Sequence, residues 1–121
     1  MRLYLYGKVY FTKSNGRKPF IEWREKQEKS IKADVDARIN KLLERGFDLL
    51  HNKMLVILSV RDDLYELRNV SMGWRVSIYY DKSINTFVVL DGFKKPSKKK
   101  QQQNIKRALT LMYEYLGNKK G

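Results

Sequence analysis

The sequence predicts an α+β fold: a small, mostly antiparallel sheet, made of an N-terminal strand and a C-terminal three-strand meander, packed against two N-terminal helices and a C-terminal helix. Three observations carry this. Apolar and polar residues alternate over 63–69 and 73–81, the pattern of half-buried strands, and a third strand of the meander is placed at 85–92. Apolar residues recur at helical spacing over 31–43 and again over 105–116, which marks amphipathic helices. At 121 residues the chain can hold one core but not two, so residues 1–117 are expected to form a single domain, with 118–121 as a disordered tail.

The first strand spans Arg2 to Phe11, rich in the Tyr, Leu and Val that favour strands. Leu3, Leu5, Val9 and Phe11 share one side, and Tyr4, Tyr6 and Tyr10 the other. Ser14-Asn15-Gly16 reads as a turn. Pro19 opens a short helix, where its missing N–H costs nothing, and Phe20 and Trp23 share that helix's buried side. A second helix starts near Ser30 or Asp34. Its stripe is Ile31, Val35, Ile39, Leu42 and Leu43, and Gly46 is a natural stop. Periodicity leaves 47–60 open among strand, helical turn and buried loop.

In the meander, Trp74, Val76, Ile78 and Tyr80 alternate with Arg75, Ser77 and Tyr79, while Tyr65 and Leu67 alternate with Glu66 and Arg68. One face is therefore apolar and expected to pack on the helices. The other gathers Glu66, Arg68, Arg75, Ser77 and Tyr79. Lys82-Ser83-Ile84-Asn85 forms the second hairpin turn. The last helix runs from about Ser97 to Leu116, with Ile105, Ala108, Leu109, Met112 and Leu116 as its stripe and Gly117 as its end. Lys98, Lys99 and Lys100 at its start oppose the helix dipole, so either that start frays or the lysines serve a ligand.

Lys and Arg number 26 against 13 Asp and Glu, a formal charge of +13, with a sequence pI near 10.0. Such an excess suits a polyanionic partner. No run of about 18 apolar residues is present, which argues against a membrane span, and the start lacks the apolar centre of a signal peptide. The chain has no cysteine and one histidine, His51, which excludes disulfides and thiolate chemistry and argues against a metal site. No metal or cofactor is expected, and a cytoplasmic location fits.

If the polyanion is RNA, cleavage through the 2′-hydroxyl needs a base, cations beside the crowded phosphorane, and an acid for the leaving 5′-oxygen. Arg75 lies mid-strand on the polar face, where a strand has no need of arginine, and Arg68 is its counterpart near a strand end. The alternative for both is an ion pair with Glu66, which is also a candidate base. Lys94 and Lys95 follow a strand directly and fit phosphate contact or catalysis, the more so because clustered like charges lower a lysine pKa. Tyr79 and His51 are further acid–base candidates. Lys98, Lys99, Lys100 and Lys53 are candidate phosphate contacts.

These pieces, in this order, resemble the RelE/ParE superfamily of type II toxins, in its HigB-like, phage-derived branch. They are Asn15-Gly16-Arg17-Lys18-Pro19-Phe20, Leu43-Glu44-Arg45-Gly46, Arg61-Asp62-Asp63-Leu64-Tyr65-Glu66-Leu67-Arg68, Gly73-Trp74-Arg75-Val76 and Gly92-Phe93-Lys94-Lys95. The resemblance implies a RelE-like fold and a metal-independent mRNA endoribonuclease that acts at the ribosome and inhibits translation. It carries the site to Arg68, Arg75 and Lys94 or Lys95. It also implies a cognate antitoxin, a helix-turn-helix protein that would cover the basic face or the last helix. Leu58-Ser59 stands where relatives carry a basic residue, Lys99-Lys100-Gln101-Gln102 replaces a threonine-proline, and a terminal histidine is absent. Two rival functions fit the same charge and fold: a gyrase poison of the ParE branch, and a non-catalytic basic RNA-binding protein.

Overall fold

The computed structural model describes residues 3–120, the side chain of Lys120 excepted. In chain order the elements are β1 (Gly7–Tyr10), α1 (Pro19–Glu25), α2 (Lys29–Arg45), a 3₁₀ turn (Gly46–Leu50), β2 (Leu55–Ser59), β3 (Leu64–Asn69), β4 (Trp74–Asp81), β5 (Thr86–Lys94) and α3 (Lys98–Lys120). The strands form one sheet in the order β1-β5-β4-β3-β2. β1 runs parallel to β5, and the other pairs are antiparallel. The α+β architecture is as expected, with one strand more: β2 resolves the ambiguous 47–60 stretch into a 3₁₀ turn and an edge strand.

The main core lies between the sheet and α1–α2, where Phe20, Val35, Ile39, Leu42 and Leu49 meet Leu55, Leu67, Trp74, Val76, Ile78 and Phe87. Pro19 takes the first position of α1, and Phe20 is its buried residue. α2 ends where Gly46, at φ 56°, donates its N–H to the Leu42 carbonyl. A side chain there would meet both left-handed strain and the Tyr6 ring. Gly92 in β5 is equally constrained, because a Cβ would run into the Trp23 indole. α2 begins at Lys29, beside Ser30, with Glu28 at the cap position; Asp34 lies further in and has a tertiary role.

A second core covers the opposite face of the sheet: Phe11, Leu64, Val88 and Leu90 pack against Ala108, Leu111 and Met112 of α3. This corrects the expectation that only the Trp74 face carries helices. Two further corrections concern β1. The strand is shorter than Arg2–Phe11 (Arg2 lies outside the described residues), and Leu3 and Leu5 are exposed. Tyr6 and Tyr10 turn inward instead; Tyr6 packs near Phe47 and Phe87, and Tyr10 stacks on Phe20 at 5.4 Å. Large aromatic rings fill the gap between the outer strand and the helices better than Leu side chains there would.

α3 continues through Gly117 to Lys120, so the stop expected at Gly117 is not observed; Gly121 lies outside the described residues. The last turns are held by Asp81 at the end of β4, which accepts hydrogen bonds from Tyr115 Oη (2.8 Å) and Lys119 Nζ (2.7 Å). Burial raises the Asp81 carboxyl, but the bonds from Lys119, Ser83 and Tyr115 outweigh it and hold the pKa at about 2. Its folded pKa is thus depressed, so its contribution is fully present above the ordinary aspartate range and fades as pH falls toward about 2. Asp81→Ala should cost about 1–3 kcal/mol at neutral pH by stranding the Tyr115 hydroxyl. Urea titration measures that loss, and hydrogen exchange should place the added opening in the second half of α3.

Candidate nucleic-acid interface

The cross-strand register assembles the polar site. Arg68 of β3 lies opposite Arg75 of β4, and Arg75 opposite Phe93 of β5. Directly opposed residues share a face, so all three stand on the α3 side of the sheet. One step along, Glu66 lies opposite Ser77. The buried residues of α3 begin only at Ala108, while Lys98–Gln103 are exposed. The helix therefore seals the far half of this face with buried residues, while its exposed first turns only border the arginine row, where Gln101 lines a small cleft.

Glu66 sits between two guanidiniums. Arg68 Nη2 donates to Glu66 Oε1 at 3.0 Å, and Arg75 Nε reaches the same oxygen at 3.2 Å. Both alternatives read from the sequence, a Glu66–Arg68 and a Glu66–Arg75 pair, are present together. They are not surface pairs: Glu66 is 5% exposed and Arg75 4%. Arg75 Nη1 also donates to the Trp74 carbonyl at 3.1 Å. Burial raises the Glu66 carboxyl above its ordinary range, and the charges of Arg68 and Arg75 pull against that rise. Burial and Arg68 draw the Arg75 guanidinium down from its usual value, with Glu66 opposing, yet arginine stays charged. Arg68 Nε is buried with no acceptor among the described residues, a condition that marks a strained or ligand-facing donor.

The β3–β4 hairpin carrying both arginines is pinned from behind by α2. Asp34 Oδ2 accepts from Trp74 Nε1 at 2.9 Å and from Asn69 Nδ2 at 2.7 Å. Arg38, beside Asp34 on the same helix, donates to the Arg68 carbonyl at 3.0 Å. Packing of α2 thereby sets where the site arginines stand.

Three adjoining clefts follow this row. A central cleft of about 140 Å³ is lined by Glu66, Arg68, Arg75, Lys95, Pro96 and Gln101. A second, of about 380 Å³, shares Lys95 and Pro96 and adds Phe93, Lys94, Lys100 and Asn104. A third, of about 600 Å³, shares Arg68 and is lined further by Arg38, Lys53, Met54, Asn69 and Val70. Together they make a track bordered by cations, the shape and charge suited to a single polyanionic strand.

Arg68, Arg75, Glu66, Lys95, Lys94, Lys100 and Lys53 are thus brought onto one track. Three sequence candidates are not. Tyr79 lies on the second core, 5.9 Å from the Tyr115 ring, with its phenol raised by burial and by Asp81 and Asp63. His51 is exposed after the 3₁₀ turn and lines none of these clefts. Lys98 and Lys99 are exposed in the first turn of α3 and also stand off them; the helix is formed there, with Lys100 and Gln101 donating to the Ser97 carbonyl. Sequence reasoning missed Arg38, Phe93, Pro96, Gln101 and Asn104. Phe93 and Pro96 carried a sequence signal, since they flank Lys94-Lys95. Arg38, Gln101 and Asn104 reach the site through the docking of α2 and α3. No group of three or more His, Cys, Asp or Glu able to hold a metal occurs among the described residues, and no described helix is long and apolar enough to cross a membrane.

No curated protein matches the chain. Among solved structures, it is similar to the isolated E. coli RelE toxin, at 12% identity and a TM-score of 0.54, over 87% of this chain and 98% of that one. It is also similar to the intact E. coli RelBE toxin–antitoxin complex, at 13% identity and a TM-score of 0.55, over 78% of this chain and 100% of that one. These likenesses establish the RelE fold. The family model of the phage-derived Gp49-like proteins (DUF891) matches residues 22–113, a span that takes in α2, the meander, the arginine row and most of α3, and the chain belongs to that family.

Proposed function

We propose that the protein is the toxin of a type II toxin–antitoxin system and acts as a metal-independent endoribonuclease on mRNA, at the ribosome, restrained by a cognate antitoxin. The observation that carries the reading is Glu66, held with a raised pKa between Arg68 and Arg75 at the floor of a cationic track. The RelE fold, seen in a toxin and in its complex with an antitoxin, supports the biological role.

In this chemistry, Glu66 accepts the 2′-hydroxyl proton on Oε2, the oxygen neither arginine engages. The 2′-oxygen then forms a bond to phosphorus as the bond to the 5′-oxygen breaks. Arg75 and Arg68 stabilise the charge on the phosphorane, a contribution of a few kcal/mol for a donor aimed at developing charge. Lys95, at the mouth of the same cleft, protonates the departing 5′-oxygen. The products are a 2′,3′-cyclic phosphate and a 5′-hydroxyl.

The test is primer extension on a defined mRNA in a translation reaction to which the protein is added. New ends inside the coding region are expected, and parallel reactions on naked RNA report whether ribosomes are required. Intact mRNA in the presence of folded protein at high concentration overturns the nuclease. Intact transcripts together with DNA damage in expressing cells would point instead to a gyrase poison.

A further inference from the structure

Phe93 occupies a place on the sheet that calls for explanation. It shares the α3 face with Arg75, the first buried residue of α3 is Ala108, and the ring is left half-buried beside Lys94, Lys95 and Lys100. The cleft it lines also offers Lys94, Lys95, Lys100 and the Asn104 amide, and no acidic side chain borders it among the described residues. A π-face, several unopposed cations and one amide make a chemical set that matches a nucleotide. The ring stacks a base, the lysines neutralise phosphate, and the amide meets a base edge. A volume of about 380 Å³ falls within the range of small-molecule sites, roughly 300–1,000 Å³. Lys95 and Pro96 border both this cleft and the one holding Glu66 and Arg75, so an occupant here adjoins the reacting phosphodiester.

We infer that the Phe93 cleft is a nucleobase subsite: the base next to the reacting phosphodiester leaves its stack, lies on Phe93, and has its edge read by Asn104. This rests on the RNA reading above and makes it more specific. A base in a duplex has both faces stacked and its pairing edge occupied, so the substrate must be unpaired at this position. An amide presents one donor and one acceptor, the complement of adenine N7 and N6–H. Adenine is therefore the favoured base.

The test uses the full chain and five-nucleotide 2′-O-methyl RNAs, which cannot be cleaved through the 2′-oxygen, with binding followed by fluorescence anisotropy at low salt. One series varies the subsite base and a second makes it abasic. Phe93→Leu keeps apolar volume but removes the ring, and Phe93→Ala removes both. Each is expected to weaken binding of the intact oligonucleotide by about 5- to 100-fold. The abasic oligonucleotide should bind the wild type and both variants equally weakly, because the stacked partner is then already gone. Asn104→Ala should flatten the preference for adenine while leaving overall affinity within a few-fold. A merely structural Phe93 would weaken intact and abasic ligands alike, and that result, or wild-type affinity in Phe93→Leu, overturns the subsite. Parallel cleavage assays on unmodified RNA separate the two claims: coupling without cleavage leaves the subsite standing and removes the nuclease, and cleavage without coupling does the reverse.

Discussion

Arg75→Lys is expected to slow RNA cleavage by about 10²–10³-fold, the effect of losing one positioned donor to developing charge, while the protein stays folded. Arg75 uses Nε on Glu66 and Nη1 on the Trp74 carbonyl, so the rest of its planar fork is oriented by bonds a single ammonium cannot reproduce. Lysine keeps the charge that balances Glu66 but loses the geometry. Alanine is a poorer probe. With Arg75 4% exposed and Glu66 5% exposed, truncation leaves a buried carboxylate with one partner in place of two, a loss of about 3–5 kcal/mol for a broken buried pair. Single-turnover cleavage rates alongside thermal melts separate the two effects. Full activity in Arg75→Lys would remove Arg75 from the reacting site.

Glu66→Gln should lower the rate by about 10²–10⁴-fold, the usual span for loss of general base catalysis, and should erase the acidic limb of the pH–rate profile. A base works only when ionised. Because burial raises the Glu66 carboxyl, the wild-type rate should climb at higher pH than an ordinary glutamate would give. The stability linkage has the opposite sense. With its folded pKa raised, Glu66 contributes stability that is fully present below its unfolded value and is lost as pH rises through the folded one. Glutamine has no such loss and keeps an acceptor for Arg68 and Arg75, so the variant should stay folded at neutral pH. Melts at acidic and neutral pH check this directly. An acidic limb that survives in Glu66→Gln would assign the base elsewhere.

Period-two alternation found β3 and β4 within a residue or two, β5 was placed as the next strand of the meander, and Pro19 and Gly46 marked helix ends because each has a backbone property no neighbour shares. The same alternation placed Glu66, Arg68 and Arg75 on one face. It could not say how deep they lie. The burial of Glu66 and Arg75, and the partial exposure of Arg68, are set by neighbouring segments that alternation within a strand does not describe. In β1 the pattern misled, since Leu3 and Leu5 look like core and are exposed, whereas Tyr6 and Tyr10 pack inward. Hydropathy ranks side chains without knowing the width of the gap they must fill. Asp34 is the other instructive case: its local pattern suggests a helix start, and its partners, Asn69 and Trp74, lie 35 and 40 residues away.

By itself, then, the sequence determined the three helices and the three meander strands, the side of the sheet on which the arginines stand, the cationic charge, and the family. Each of these rests on local periodicity, composition or ordered short motifs. Tertiary structure alone decided that Glu66 bridges both arginines, that α3 covers only half of their face, and that Phe93 and Asn104 border the open half. Those outcomes depend on strand register and on where a distant helix docks, and both are set by packing between segments far apart in the chain.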